Sequence, residues 1–167
     1  MLVLVGGSIA GCSPTLNWRE VRPEGSGAAV MFPCKPSREV RQVPLAGAQV
    51  SMTIMACRTG EAMYALSFAD VGDAARVAPA LEALREAAIG NLSGSVVSSQ
   101  AARVEGMTPQ AQALLLSVRG VLPDGTRVQE RLAVFSKGPR VFQATLFGAR
   151  LEAEAVETFF GGLRLPG

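Results

Sequence analysis

The sequence predicts an α+β domain: an antiparallel β-sheet of about six to seven strands packed by two helices. Three observations predict it. Short stretches with strand-like apolar character, bounded by Gly, Pro or Asp-Gly turn signals, fill 28–71 and again 95–148. One stretch with apolar residues at three- and four-residue spacing, 74–92, divides these two groups, and a second, 151–163, closes the chain. Strands arriving in runs, rather than alternating strictly with helices, point to α+β and away from a parallel sheet.

Each element follows from local chemistry. Trp18 to Arg22 can form a short opening strand, with "PEGSG" as the turn behind it. "AAVMFP" (28–33) reads as a strand stopped by Pro33 and Pro36, since proline cannot donate to a ladder. "SREVRQVPLAGAQVSMTIMACR" is a hairpin about Leu45-Ala46-Gly47-Ala48. "AMYALSFADV" (62–71) is apolar on both alternating sets, as a central strand requires. Asp73 can cap a helix beginning at Ala74. Its apolar stripe is Val77, Leu81, Leu84, Ala88 and Leu92, with Glu82, Arg85 and Glu86 opposite, and Pro79 disturbs its first turn. "SVVSSQAARVEG" is polar enough for an edge strand. "AQALLLSVRGVL", "RVQERLAVF" (127–135) and "RVFQATLFG" (140–148), divided by the turns "PDGT" and "SKGP", form a meander. The closing helix, 151–160, has Leu151, Ala155, Val156, Phe159 and Leu163 on one side. Glu152, Glu154 and Glu157 face water, and the early glutamates suit the helix dipole. An antiparallel sheet with one face covered by helices would bury both stripes.

Composition narrows the chemistry. The 167 residues are 49% hydrophobic and 18% charged, which places the chain among globular proteins. Aromatics are only 5%, so Val, Leu, Ala and Met must fill most of the core. The net charge of +2 comes from scattered arginines, with Lys35 and Lys137 the two lysines. No basic cluster interleaved with aromatics is present, which argues against a nucleic-acid partner. Histidine is absent, and with it the commonest neutral-pH acid–base group and the usual ligand of catalytic zinc. Triad hydrolases and histidine-ligated metal enzymes are thereby excluded.

The first eleven residues, "MLVLVGGSIAG", carry no charge and open on an aliphatic run. The run is too short to span a bilayer, which needs about 20 apolar residues, but suits the apolar region of a secretory signal. Ile9-Ala10-Gly11-Cys12 resembles a bacterial lipobox: a branched aliphatic, two small residues and the cysteine that receives the lipid. The expected organisation is a signal peptide over 1–11, a lipid-anchored tether over 12–17 and one α+β domain over 18–167. Cys12 would be the lipidation site, fixing the domain on the periplasmic side of a bacterial membrane, the outer membrane in preference to the inner. One feature departs from the pattern, because no lysine or arginine precedes the apolar run. The competing reading makes "MLVLV" a buried strand and Cys12 a small core residue.

Setting Cys12 aside leaves Cys34 and Cys57, an even pair in an oxidising compartment. With Val43 opposite Val50, the hairpin carries Cys57 opposite about Pro36, close to Cys34. A structural disulfide is expected, and two half-buried free thiols are the other reading. A CxxC motif is absent, which argues against thiol–disulfide catalysis.

Phe32-Pro33, the Lys35-Pro36 step, the polar hairpin behind it and the Tyr64 strand together resemble a known opening. With the helix, the meander and the final helix bearing Phe159-Phe160, they are similar to the fold shared by PsbP of photosystem II and the Ran-binding protein Mog1. The chain also resembles small lipoproteins of Gram-negative bacteria. This resemblance implies a non-enzymatic accessory or binding domain. It transfers no functional residue, because the acidic Ran-binding surface has no counterpart here.

Other candidate sites each have a structural alternative. Asp70 and Asp73, with Glu61, could hold a cation, or the aspartates could cap backbone. Met31, Met52, Met55 and Met63 could bind a soft metal or apolar ligand, or fill the core. Arg119, Arg127 and Arg131 lie across the PDGT hairpin and could meet an anion, or form a solvated strand face. "GGSIAG" lacks the lysine of a phosphate loop, and Lys35 and Lys137 sit in turns unsuited to Ser-Lys catalysis. The sequence thus predicts no catalytic residue, no cofactor and no metal. It predicts a periplasmic lipoprotein acting as an accessory or protein-interaction domain, attached to the membrane through Cys12 and meeting a protein partner it does not identify. The alternative is a carrier holding a small apolar ligand between sheet and helices, which requires a cavity of at least about 300 Å³.

Overall fold

The computed structural model describes residues 16–167; the signal-like segment and Cys12 lie outside the described residues. Nine strands, a 3₁₀ turn and two α-helices follow one another along these residues. They are β1 (Arg19–Val21), β2 (Val30–Phe32), β3 (Ser37–Leu45), β4 (Ala48–Thr59), β5 (Ala62–Asp70), α1 (Val77–Asn91), β6 (Ser95–Ala101), β7 (Leu114–Val121), β8 (Arg127–Lys137), β9 (Arg140–Gly148) and α2 (Ala153–Gly161). β1 and β2 pair as a small antiparallel ribbon, and the others form one seven-stranded sheet in the order β3-β4-β5-β9-β8-β7-β6. Every pairing in the large sheet is antiparallel.

The sheet is two meanders, β3-β4-β5 and β6-β7-β8-β9, joined where β5 pairs with β9. Tight turns set the registers. Ala46 and Gly47 both have positive φ, the backbone a two-residue turn needs to match strand twist. Val43 falls opposite Val50 as the hairpin pattern predicts. β6 is exposed along its whole length, lies at one edge and carries a bulge between Val96 and Ser98. Bulges on edge strands disturb the unpaired ladder that would otherwise recruit another strand.

The helices depart from expectation in placement. They cover opposite faces of the sheet, not one. Val77, Leu81, Leu84 and Ala88 of α1 pack on Leu116, Leu132, Val134 and Val141. Ala155 and Phe159 of α2 pack with Phe32 against Leu66, Phe142 and Leu146 on the other side. Alternation explains the division: β8 sends Leu132 and Val134 to one face and Ala133 and Phe135 to the other, all buried. With apolar residues on both sets, each face needs its own cover.

The helix starts also differ in detail. Asp73 caps a 3₁₀ turn over Ala74–Arg76, its Oδ1 accepting from the Ala75 N–H at 2.8 Å, and the α-helix begins at Val77. Pro79 then lies in the first turn, where a missing N–H is tolerated. Arg76 donates to the carbonyls of Leu45, Ala46 and Val71, pinning this turn to the β3–β4 hairpin.

The β1–β2 ribbon is held to the main sheet in two ways. Cys34, just after β2, is bonded to Cys57 of β4 with their Cα atoms 6.0 Å apart. Trp18, Tyr64, Phe159 and Phe32 meet edge to face in sequence, at centroid distances of 5.8, 5.5 and 5.7 Å. Such pairs stabilise by about 0.5–1.5 kcal/mol beyond their buried area. The C-terminal segment completes this side. Arg164 exchanges backbone hydrogen bonds with Ala29, and the Leu165 N–H donates to Glu105.

Two stability measurements follow from this packing. The bridge closes a loop with a sequence separation of 23, worth about 3 kcal/mol in the chain-entropy model. The double variant Cys34→Ser/Cys57→Ser is expected to lose about that much in urea unfolding and to become insensitive to added reductant. Gly106 has φ +80°, and a Cβ there would lie 2.0 Å from the Leu165 carbonyl oxygen. Gly106→Ala is expected to cost at least about 2 kcal/mol. Gly125→Ala, also at positive φ but in open space, should cost less.

Candidate functional site

The sequence candidates separate into residues with structural occupations and one group without. Asp70 accepts from the Gly72 N–H at 2.8 Å and faces Arg140 at 3.7 Å, and Asp73 caps the 3₁₀ turn. Glu61 lies away from them, at the rim of a different cleft. Among the described residues, no group of three or more His, Cys, Asp or Glu side chains could hold a metal ion. Met52 packs in the α1-side core and Met55 in the α2-side core, so the methionines do not converge.

Arg119, Arg127 and Arg131 do come together. In β8 the alternation places Arg127, Gln129 and Arg131 on the face of Ala133 and Phe135, toward α2. Arg119 of β7 pairs with Gln129, so Arg127 and Arg131 are its diagonal neighbours. Diagonal positions on adjacent strands lie about 7–8 Å apart, within reach of arginine side chains. Ser95 of β6 stands opposite Arg119 and Ser117 opposite Arg131, adding hydroxyls to the same face.

Helix α2 is too short to cover this end of the sheet, and a trough remains. One part, about 520 Å³, is lined by Ser93, Ser95, Arg119, Arg127 and Gln129. A second part, about 240 Å³, shares Arg119 and Gln129 and runs to Ser117, Arg131 and the α2 flank at Leu151 and Val156. Arg131 donates through Nη1 to the Ser117 hydroxyl, while its Nε is buried without an acceptor. Arg119 and Arg127 are exposed. None of the three forms an ion pair among the described residues. Arg22, Arg41, Arg140, Arg150 and Arg164, in contrast, each face a carboxylate.

A residue the sequence reading passed over lies behind the trough. Glu130 points to the α1 face, between Val128 and Leu132 along β8 and between Val118 and Phe147 across it. It is 5% exposed, and its Oε2 has no hydrogen-bond partner. Burial pushes its carboxyl from 4.5 up to about 7. The signal was available: Glu130 shares strand phase with Val128, Leu132 and Val134.

A smaller cleft, about 330 Å³, lies where the carrier alternative needs one, between the sheet and the start of α2. Tyr64, Leu146, Leu151 and Ala155 line it, with Glu61 and Arg150 at its rim. Burial raises the Tyr64 hydroxyl above its ordinary range.

No known family model matches the chain, and no curated protein matches it. Solved structures do. The solution structure of cyanobacterial PsbP (CyanoP) from Synechocystis is similar at a TM-score of 0.52 with 11% identity, covering 96% of this chain and 98% of that one. A protein of unknown function from Pseudomonas aeruginosa is similar at a TM-score of 0.40 with 15% identity, covering 83% of this chain and 85% of that one. The fold is therefore α+β and PsbP-like, as the order of elements implies.

Glu130 gives this region a measurable pH dependence. Below about pH 4.5 the carboxyl is protonated in folded and unfolded chains alike. Between about 4.5 and 7 the unfolded chain ionises while the folded one stays protonated, so stability falls as pH rises. Above 7 the deficit is constant at about 3 kcal/mol. In urea unfolding from pH 4.5 to 8, Glu130→Gln is expected to remove this contribution and to gain stability over the parent as pH rises. Parallel pH profiles for the two proteins would refute the assignment.

Proposed function

We propose that this chain is a periplasmic lipoprotein: a PsbP-like domain anchored to a bacterial membrane through lipid on Cys12 and acting as a non-catalytic accessory or protein-interaction module. The observation that carries the reading is Ile9-Ala10-Gly11-Cys12 behind an uncharged apolar run, shortly before the folded domain. The first described contacts support that spacing, since the Asn17 N–H donates to Pro33 and Trp18 packs on Tyr64. A short polar tether would hold the domain close to the membrane surface. The Cys34–Cys57 bond suits an oxidising compartment. The accessory role draws support from the commitment of Asp70, Asp73, Glu20 and Glu39 to caps and ion pairs. Val96, Val97 and Val121, exposed around the β6 edge, offer apolar surface for a protein contact.

One feature favours a second reading, the carrier of a small apolar ligand: the cleft between Tyr64 and Ala155 has a sufficient volume. Its charged rim makes it the weaker reading.

Intact mass spectrometry of the full chain from a host that processes lipoproteins tests both. The expected product begins at Cys12 and carries acyl mass, and Cys12→Ser abolishes that mass. An unmodified chain retaining residues 1–11 would overturn the anchor. A native spectrum of the freshly extracted protein without bound ligand would remove the carrier reading.

A further inference from the structure

We propose that the trough lined by Arg119, Arg127 and Arg131 is a binding site for a phosphate-bearing small molecule. Three independent observations converge on it. The first is uncompensated charge. Arg119 lies diagonal to both Arg127 and Arg131, and like charges so placed repel. No carboxylate pairs with any of them among the described residues. β8 has a glutamate between Arg127 and Arg131 in sequence; Glu130 borders the smaller recess, but alternation assigns its side chain to the opposite face, and its Oε2 is buried. The arrangement gathers three cations on one face without a counter-charge, which favours a dianion there.

The second observation is a donor without an acceptor. Arg131 Nε is buried and unpartnered beside the Ser117 hydroxyl, in the recess that continues the trough. A buried donor left unmade is unfavourable, and a turn of the Arg131 guanidinium toward an oxyanion in the recess would relieve it. The third is shape. The main part of the trough is an open concavity of about 520 Å³, a volume within the range of small-molecule sites. The guanidinium fork matches phosphate oxygens in a way a lysine ammonium does not. Ser93 and Ser95 supply further donors, while Val97, Leu151 and Val156 give the adjoining recess an apolar wall for the organic part.

The same chemistry is carried by a soluble phosphoester and by a phospholipid headgroup, and the two can be separated. The site does not depend on the lipid anchor, so the full chain carrying Cys12→Ser serves as the parent. Titration with inorganic phosphate and with pyrophosphate is followed by calorimetry. Co-sedimentation with phosphatidylglycerol and with phosphatidylcholine vesicles forms the second arm. The expected result is saturable phosphate or pyrophosphate binding that Arg119→Gln/Arg127→Gln weakens by at least about tenfold. Arg38→Gln, on the opposite edge strand, should leave it unchanged. Both sites are exposed, so urea unfolding should show the variants folded. Loss of phosphatidylglycerol sedimentation in the double variant would assign the lipid headgroup. Phosphate binding without arginine-dependent sedimentation would assign a soluble phosphoester. Binding equal in parent and double variant, or no saturable binding of either anion up to tens of millimolar together with sedimentation that does not depend on the arginines, would overturn the proposal.

Discussion

The pairing of β5 with β9 is the constraint on which the rest of the molecule depends. It joins residues 63–70 to residues 140–147 in continuous register, from Met63 opposite Phe147 to Asp70 opposite Arg140. Each meander alone would have one apolar edge and no closed core. Their union places Leu66, Phe68, Phe142, Ala144 and Leu146 at the centre of one face, and Ala69 with Val141 on the other. Because the contact is so distant in sequence, its loop-closure entropy must be offset by burial on both faces at once. That requirement explains why α1 lies between the meanders in sequence: the connection from β5 to β6 covers one face on its way to the far edge of the sheet. α2, following β9, is left to cover the other.

The ribbon β1–β2 is the weak partner in this scheme. Three-residue strands have too little ladder to persist alone. They are held by Phe32 against Phe159, by the Cys34–Cys57 bond and by Arg164 bridging Ala29. The disulfide therefore does more than fasten the exposed edge strand β3. It ties the chain leaving the ribbon to Cys57, the cross-strand partner of Tyr64, on whose ring Trp18 packs. A chain tethered just before Trp18 would transmit pull at its N-terminus into this aromatic cluster, which is the part that covalent bonding reinforces.

Much of this was legible in the sequence because its signals are local. The Val43–Val50 register, the Asp73 cap, the PDGT turn and both helical stripes each depend on a few adjacent residues. The helices' assignment to opposite faces was not legible. A helical stripe states how wide an apolar face is, but not which sheet face will meet it. The information was present only in the strands: β8 is apolar on both alternating sets over Leu132–Phe135, and β9 adds Val141 to one face and Phe142, Ala144 and Leu146 to the other. The arginine trough was partly legible. Its three residues can be named from the hairpin, whereas the unpartnered Arg131 Nε and the space beside α2 require the tertiary packing.

Strand β8 concentrates the electrostatic character of the domain. Its run Arg127-Val128-Gln129-Glu130-Arg131 reads in sequence as a mixed, nearly neutral segment. Folding separates the charges by alternation, sending the cations to the α2 face and the carboxyl into the α1-side core. Burial then raises the carboxyl to about 7, so that in mildly acidic surroundings Glu130 is mostly neutral. The trough is cationic because alternation places the arginines on it and the carboxyl elsewhere. Of the two acids near these arginines in sequence, Glu130 is turned to the other face and Asp124 accepts from the Thr126 N–H in the turn. A strand that looks balanced as a string of letters thereby becomes, in the fold, a face of one sign.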